Sequence, residues 1–112
     1  MQTNITPPQL QKILAIDGCQ LVDVREPVEH AELHITEAKL IPLGDLEKRA
    51  SELSKSQPVV IHCRSGKRGV QAMTKLQELG FHQVQNLEGG ILAWKGAGLP
   101  VASGSKKVFP LM

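Results

Sequence analysis

The chain has 112 residues, a net charge of +2 and an ordinary apolar content of 41%. That length builds one compact domain and excludes two of ordinary size. The basic residues form no long run, which gives no case for nucleic acid and leans weakly towards small anionic substrates.

Aromatics are limited to Phe81, Trp94 and Phe109, so the core must be built on Ile, Leu and Val. Cys19 and Cys63 make neither a C-x-x-C pair nor a zinc-ligand spacing. Small secreted domains usually carry more bridges, so a reduced, cytoplasmic chain is the expectation. The first residues show no secretory pattern, and no apolar run approaches the roughly 20 residues of a membrane-spanning helix.

Thr6-Pro7-Pro8 opens a helix, with Thr6 as N-cap and Pro7 at the first helical position. Leu10, Ile13 and Leu14 share one face. Asp17-Gly18 ends it, with Gly18 expected in the left-handed position. Cys19 follows at a strand entry and reads as packing. The strand is Gln20–Arg25, apolar except for Asp23, which faces away from Val22 and Val24. A carboxylate among valines needs partners; the candidates are Arg25 and the basic loop further on.

Lys39–Leu43 reads as a short strand ended by Pro42. Asp45 is expected to cap a helix from Leu46 to Leu53 with Leu46, Ala50 and Leu53 inward. Val59-Val60-Ile61-His62 is then a buried strand that runs straight into Cys63. Arg64-Ser65-Gly66-Lys67-Arg68-Gly69 follows, and a helix begins, with Val70, Met73 and Leu76 spaced by three and ending at Leu79-Gly80. Phe81–Asn86 is a last strand. Gly89-Gly90 turns into a helix carrying Ile91 and Trp94.

Strands alternating with helices predict a small parallel α/β sheet with helices on both faces. Such sheets hold ligands at the carboxyl ends of their strands, where Cys63 falls. Unpaired amides at the start of the next helix, together with Arg64, Lys67 and Arg68, favour the thiolate over the thiol and bind anions. His62 points to the opposite face and is not assigned as a base. His30, His62 and His82 are not at metal-ligand spacing, so neither a metal nor a cofactor is expected.

Cys-Arg-Ser-Gly-Lys-Arg resembles the active-site loop of rhodanese-type sulfurtransferases. Protein tyrosine phosphatases place an Arg six positions after the Cys; here that position is Gly69, and Arg68 comes one residue early. Asp23-Val24-Arg25-Glu26-Pro27-Val28-Glu29 resembles the N-terminal rhodanese motif, with His30 where an aromatic usually stands. His34-Ile35 is similar to its second half, although Leu33, Thr36 and Glu37 replace Gly, Pro and Gly. His34 is read as bracing this loop. Gly89–Pro100 is similar to the C-terminal motif. The resemblance spans roughly residues 5 to 101.

It implies a single rhodanese-like domain, taken as residues 1–102. The implied function is a sulfurtransferase that moves a sulfane sulfur from an anionic donor such as thiosulfate to a thiol or cyanide, through a Cys63 persulfide. The loop from Arg64 to Gly69 would hold the persulfide. Arg64 and Lys67 would bind the donor, and Arg68 would hold the loop or pair with an acid such as Glu88. Asp23 and Arg25 would support the site from behind. The alternatives are a persulfide carrier or sensor that works with a partner protein and, less favoured, a phosphatase or arsenate reductase. Residues 103–112 read as a flexible tail with an apolar end. The tail is similar to the segment that leads into a transmembrane hairpin in some bacterial membrane-attached rhodaneses, and a membrane partner would follow only from such a continuation.

Overall fold

The structure, a computed structural model, describes residues 3–104. Most of the expected tail, with its apolar end, lies outside the described residues. Five strands form one parallel sheet: β1 (Asn4–Ile5), β2 (Gln20–Asp23), β3 (Lys39–Leu40), β4 (Val59–His62) and β5 (Val84–Leu87), in the order β1-β5-β4-β2-β3. Five helices accompany them: α1 (Pro7–Ala15), α2 (Pro27–Glu32), α3 (Leu46–Arg49), α4 (Lys67–Glu78) and α5 (Gly90–Gly96). No helix among the described residues is long and apolar enough to cross a membrane.

β4 is the central strand. Its continuous apolar run is what burial on both faces demands. Val59 and Ile61 pack on one side with Val22, Val24, Leu46, Ala72 and Leu76. Val60 packs on the other with Leu10, Leu21, Ile91 and Trp94. The expected two-faced α/β layer is therefore present, with α3 and α4 on one side and α1 and α5 on the other. Trp94 also donates its indole N–H to the Pro100 carbonyl at 2.8 Å, which fastens the chain beyond α5.

Several local expectations need correction. Asn4–Ile5, ahead of the helix that Thr6 opens, pairs with Asn86 and Leu87 as an edge strand that the sequence does not announce. Two residues are too short for an alternation signal. Thr6 does cap α1, in a capping box with Gln9. At the other end Asp17, not Gly18, takes the left-handed conformation, at φ 53°. The amide of Gly18 then reaches the Ile13 carbonyl and that of Asp17 reaches Leu14, a Schellman closure set one residue earlier than expected.

The regular ladder of β3 stops at Leu40, although the amides of Ile41 and Leu43 still bond to the carbonyls of Asp23 and Val24. Asp45 makes no side-chain cap, because it ends a 3₁₀ turn and its backbone is not extended as a cap requires. The expected helix to Leu53 is four α residues followed by a second 3₁₀ turn, yet Leu46, Ala50 and Leu53 are all buried. In α4 the inward face is Gly69, Ala72 and Leu76 with Met73 beside them, while Val70 is 51% exposed. Of the residues spaced by three, Met73 and Leu76 face the core as expected; Val70 does not, because the inward position of the first turn is Gly69. The last strand starts at Val84, three residues later than expected.

Candidate active site

Cys63 follows the last residue of β4 and is 1% exposed. Its side chain lies on the Ile61 side of the sheet. The chain then makes a short loop in which Gly66, at φ 111°, turns into α4. That conformation suits glycine and is strained for other residues. The amide of Gly66 donates to Sγ at 3.0 Å and that of Gly69 at 3.4 Å. Two N–H groups and the start of a twelve-residue helix thus converge on one sulfur, an arrangement that stabilises negative charge there.

The loop is held from two further sides. Asn86 on β5 donates its side-chain N–H to the Gly66 carbonyl at 3.0 Å. A β-carbon at Gly69 would collide with Asn86 Oδ1, so the helix can lie this close only with glycine there. From the other side, the amides of Ile91 and Leu92 donate to the carbonyls of Cys63 and Arg64 at 2.9 and 3.1 Å. Gly90 carries this approach. A β-carbon on it would run into the Arg64 and Cys63 carbonyls, and its φ is 62°. The Gly89-Gly90 pair makes the expected tight turn, and it also lets α5 grip the cysteine loop.

The charged residues of the loop divide into two kinds. Arg64, Ser65 and Lys67 are exposed, and no ion pair of Arg64 or Lys67 occurs among the described residues. Arg68 instead turns to α2, where its guanidinium meets the Glu29 carboxylate in two bonds of 2.7 and 2.9 Å. The expected partner, Glu88, is a correction: it follows β5 on the β1 side, its amide bonds to the Ile5 carbonyl, and its side chain is exposed. Glu29 belonged to a motif noted in the sequence, but nothing in the spacing showed that it would face a residue 39 positions away.

Beneath the strand ends lies a buried polar group. Asp23 is fully buried. Oδ1 accepts the Arg25 amide and Nε, each at 2.9 Å; Oδ2 accepts Arg25 Nη2 and His30 Nδ1, each at 2.8 Å. Burial pushes the carboxyl pKa up, but the bonds from Arg25, with His62 and His30 nearby, outweigh this and hold it below the usual range. Of the two partners expected for Asp23, the structure selects Arg25. Arg25 also donates to the Leu33 carbonyl at 2.6 Å. His34 Nδ1 bonds to the His30 carbonyl at 2.8 Å, and the two rings stack at 4.2 Å. The His34 amide and carbonyl bridge to Ala102. This group orients α2, and α2 presents Glu29 to the loop. The glycines missing from this motif are not needed: none of Leu33, Thr36 and Glu37 adopts a left-handed backbone.

His62 is fully buried on the Asp23 side, away from the sulfur. Its Nδ1 lies 3.4 Å from the Cys63 carbonyl, which can only accept, so Nδ1 carries the hydrogen. Nε2 has no hydrogen-bond partner and sits 3.9 Å from Asp23 Oδ2. Burial, against the pull of Asp23, lowers its pKa to about 4, so the ring is neutral at physiological pH. Cys19 is half-buried, and burial together with Asp17 and Glu37 pushes its thiol up to about 11. That agrees with a packing role. Among the described residues no group of His, Cys, Asp and Glu is arranged to hold a metal ion.

The chain belongs to the rhodanese family: the family model for the rhodanese-like domain matches residues 6–97. A sulfurtransferase of Allochromatium vinosum is 41% identical over 93 residues, which cover 83% of this chain and 87% of that protein. An uncharacterized protein of Synechocystis is 42% identical over 101 residues, 88% of this chain, but the match spans only 56% of its length. The solution structure of the rhodanese-like domain of an Anabaena protein aligns over 100% of this chain and 87% of its own, with a TM-score of 0.84 and 27% identity.

Asn86 is the residue that sequence reasoning missed, while Glu29 and Gly90 stand in named motifs whose contact with the cysteine loop the spacing does not show. An asparagine inside a short apolar strand (Val84-Gln85-Asn86-Leu87) was a signal for Asn86, since a buried amide needs a partner.

Proposed function

We propose that the protein is a sulfurtransferase that works through a Cys63 persulfide. The observation that carries this reading is the single cysteine sulfur at a strand end, facing two loop amides, with Arg64 and Lys67 exposed in the same loop. The family and the named activity of the Allochromatium relative support it.

In the reaction, the Cys63 thiolate attacks the outer sulfur of an anionic donor such as thiosulfate. The new Sγ–S bond forms as the donor's S–S bond breaks, and sulfite leaves with the electron pair. The outer sulfur of the persulfide carries the negative charge, which loop amides stabilise. A thiolate or cyanide then attacks that sulfur, the S–S bond breaks, and the Cys63 thiolate is restored. Arg64 and Lys67 bind the anionic end of the donor. No step calls for a metal or an organic cofactor.

Steady-state turnover of thiosulfate with cyanide tests the reading. Wild type should show ping-pong kinetics, and Cys63→Ser no turnover. Arg64→Ala should lose on the order of 100-fold in turnover, as the removal of a preorganised donor group does. A loss under threefold would remove Arg64 from the donor site. One round of loading without turnover would instead mark a carrier that needs a partner to unload it.

A further inference from the structure

The cysteine loop carries three cations, but only two of them are free to act on a ligand. Arg68 donates to Glu29 from both terminal guanidinium nitrogens, Nη1 and Nη2, and both side chains are partly shielded, at 34% and 24% exposure. Glu29 is itself anchored: Oε1 also accepts the Glu26 amide at 2.9 Å, so its carboxylate cannot swing away without losing the start of α2. The pair is tight in both directions. Arg68 holds the Glu29 carboxyl down at about 2, and the bond to Glu29, followed by the charges of Cys63 and Asp23, raises Arg68. Arg68 directly precedes Gly69, whose amide bonds Cys63 Sγ, so the Arg68–Glu29 pair lies on the loop that wraps the sulfur.

We propose that Glu29 sets the charge at the sulfur: it positions Arg68 against the loop and cancels its positive charge, leaving donor recognition to Arg64 and Lys67. Under the sulfurtransferase reading on which its consequence rests, Glu29 is a specificity determinant. It limits how strongly the site draws anions that carry no transferable sulfur, such as sulfate or phosphate. A bare Arg68 one position before Gly69 would add a third cation to the loop and hold such anions over the thiolate.

The test does not require sulfur transfer. Cys63 of the full chain is alkylated with anionic iodoacetate and, separately, with neutral iodoacetamide, and the modified peptide is read by mass spectrometry so that Cys19 is scored apart. Glu29→Gln should raise the iodoacetate-to-iodoacetamide rate ratio roughly threefold or more, the order expected of one unit charge near a solvent-accessible site. Glu32→Gln, which removes a charge from the exposed end of the same helix, should leave the ratio within error. In Glu29→Gln/Arg68→Gln the rise should vanish. Arg68→Gln alone should lower the ratio, which keeps the test open if Glu29→Gln does not fold.

An unchanged ratio, an equal change for both reagents, or the same rise in Glu32→Gln would overturn the proposal. The expected ratios with no sulfur gained by Cys63 from thiosulfate or an organic persulfide would leave the charge role standing and remove the sulfurtransferase reading.

Discussion

The cysteine loop and the buried group around Asp23 sit side by side at the end of the sheet and are built in opposite ways. The loop is held by backbone: two amides on the sulfur, two amides of α5 on its carbonyls, and glycines where neighbours come too close for a β-carbon. The Asp23 group is held by side chains: a buried carboxylate with four bonds from Arg25 and His30. The first arrangement rests mainly on fixed backbone dipoles, with Asn86 and the Glu29–Arg68 pair as its side-chain supports. The second depends on charge and therefore on pH. The protein thus surrounds its cysteine sulfur with fixed dipoles and places the Asp23 group on the other face of the strands.

The largest effect that would sharpen this contrast is expected at Gly90. Gly90→Ala forces a β-carbon into two carbonyls at a positive φ and should cost about 4 kcal/mol or leave no folded protein, as urea unfolding would show. Asp23→Ala comes next: it strands a buried Arg25 and should cost about 3 kcal/mol in the same measurement.

The pH dependence follows from His62. Its folded pKa, about 4, lies below the ordinary 6.5, so between those values the unfolded chain binds a proton that the folded chain refuses. Stability should be constant above about pH 6.5 on this account. It should fall by about 3 kcal/mol as pH drops to about 4. The lowered carboxyls of Asp23 and Glu29 act further down, and their contribution is lost only as pH falls below their ordinary values. His62→Gln should flatten the upper part of this slope; an unaltered slope would place its origin elsewhere.

The smallest effect is Gly44→Ala. Nothing lies within 4 Å of the added carbon, and stability should change by less than about 0.5 kcal/mol. Equal costs at Gly44 and Gly90 would break the claim that the loop is gripped through its glycines.

The parts of this design that run along the chain were legible in the sequence. The strand into Cys63, the small residues after it, Thr6 as a cap and the two-faced sheet all follow from local pattern. What stayed hidden was lateral. Glu29 and Arg68 meet across 39 positions, and Asn86 reaches the loop across 20. No periodicity encodes such meetings; they depend on β5, β4 and β2 lying adjacent in the sheet. The start of the buried α4 stripe is hidden for a related reason. Its buried face includes Gly69, a residue without an apolar side chain to announce it, and its place is set by Asn86.

The most direct measurement is the intact mass of the reduced protein before and after incubation with thiosulfate, for wild type and Cys63→Ser. The account predicts a gain of one sulfur atom on wild type, absent from Cys63→Ser and removed by cyanide. A folded, reduced wild type that gains no sulfur from thiosulfate or from an organic persulfide would contradict it.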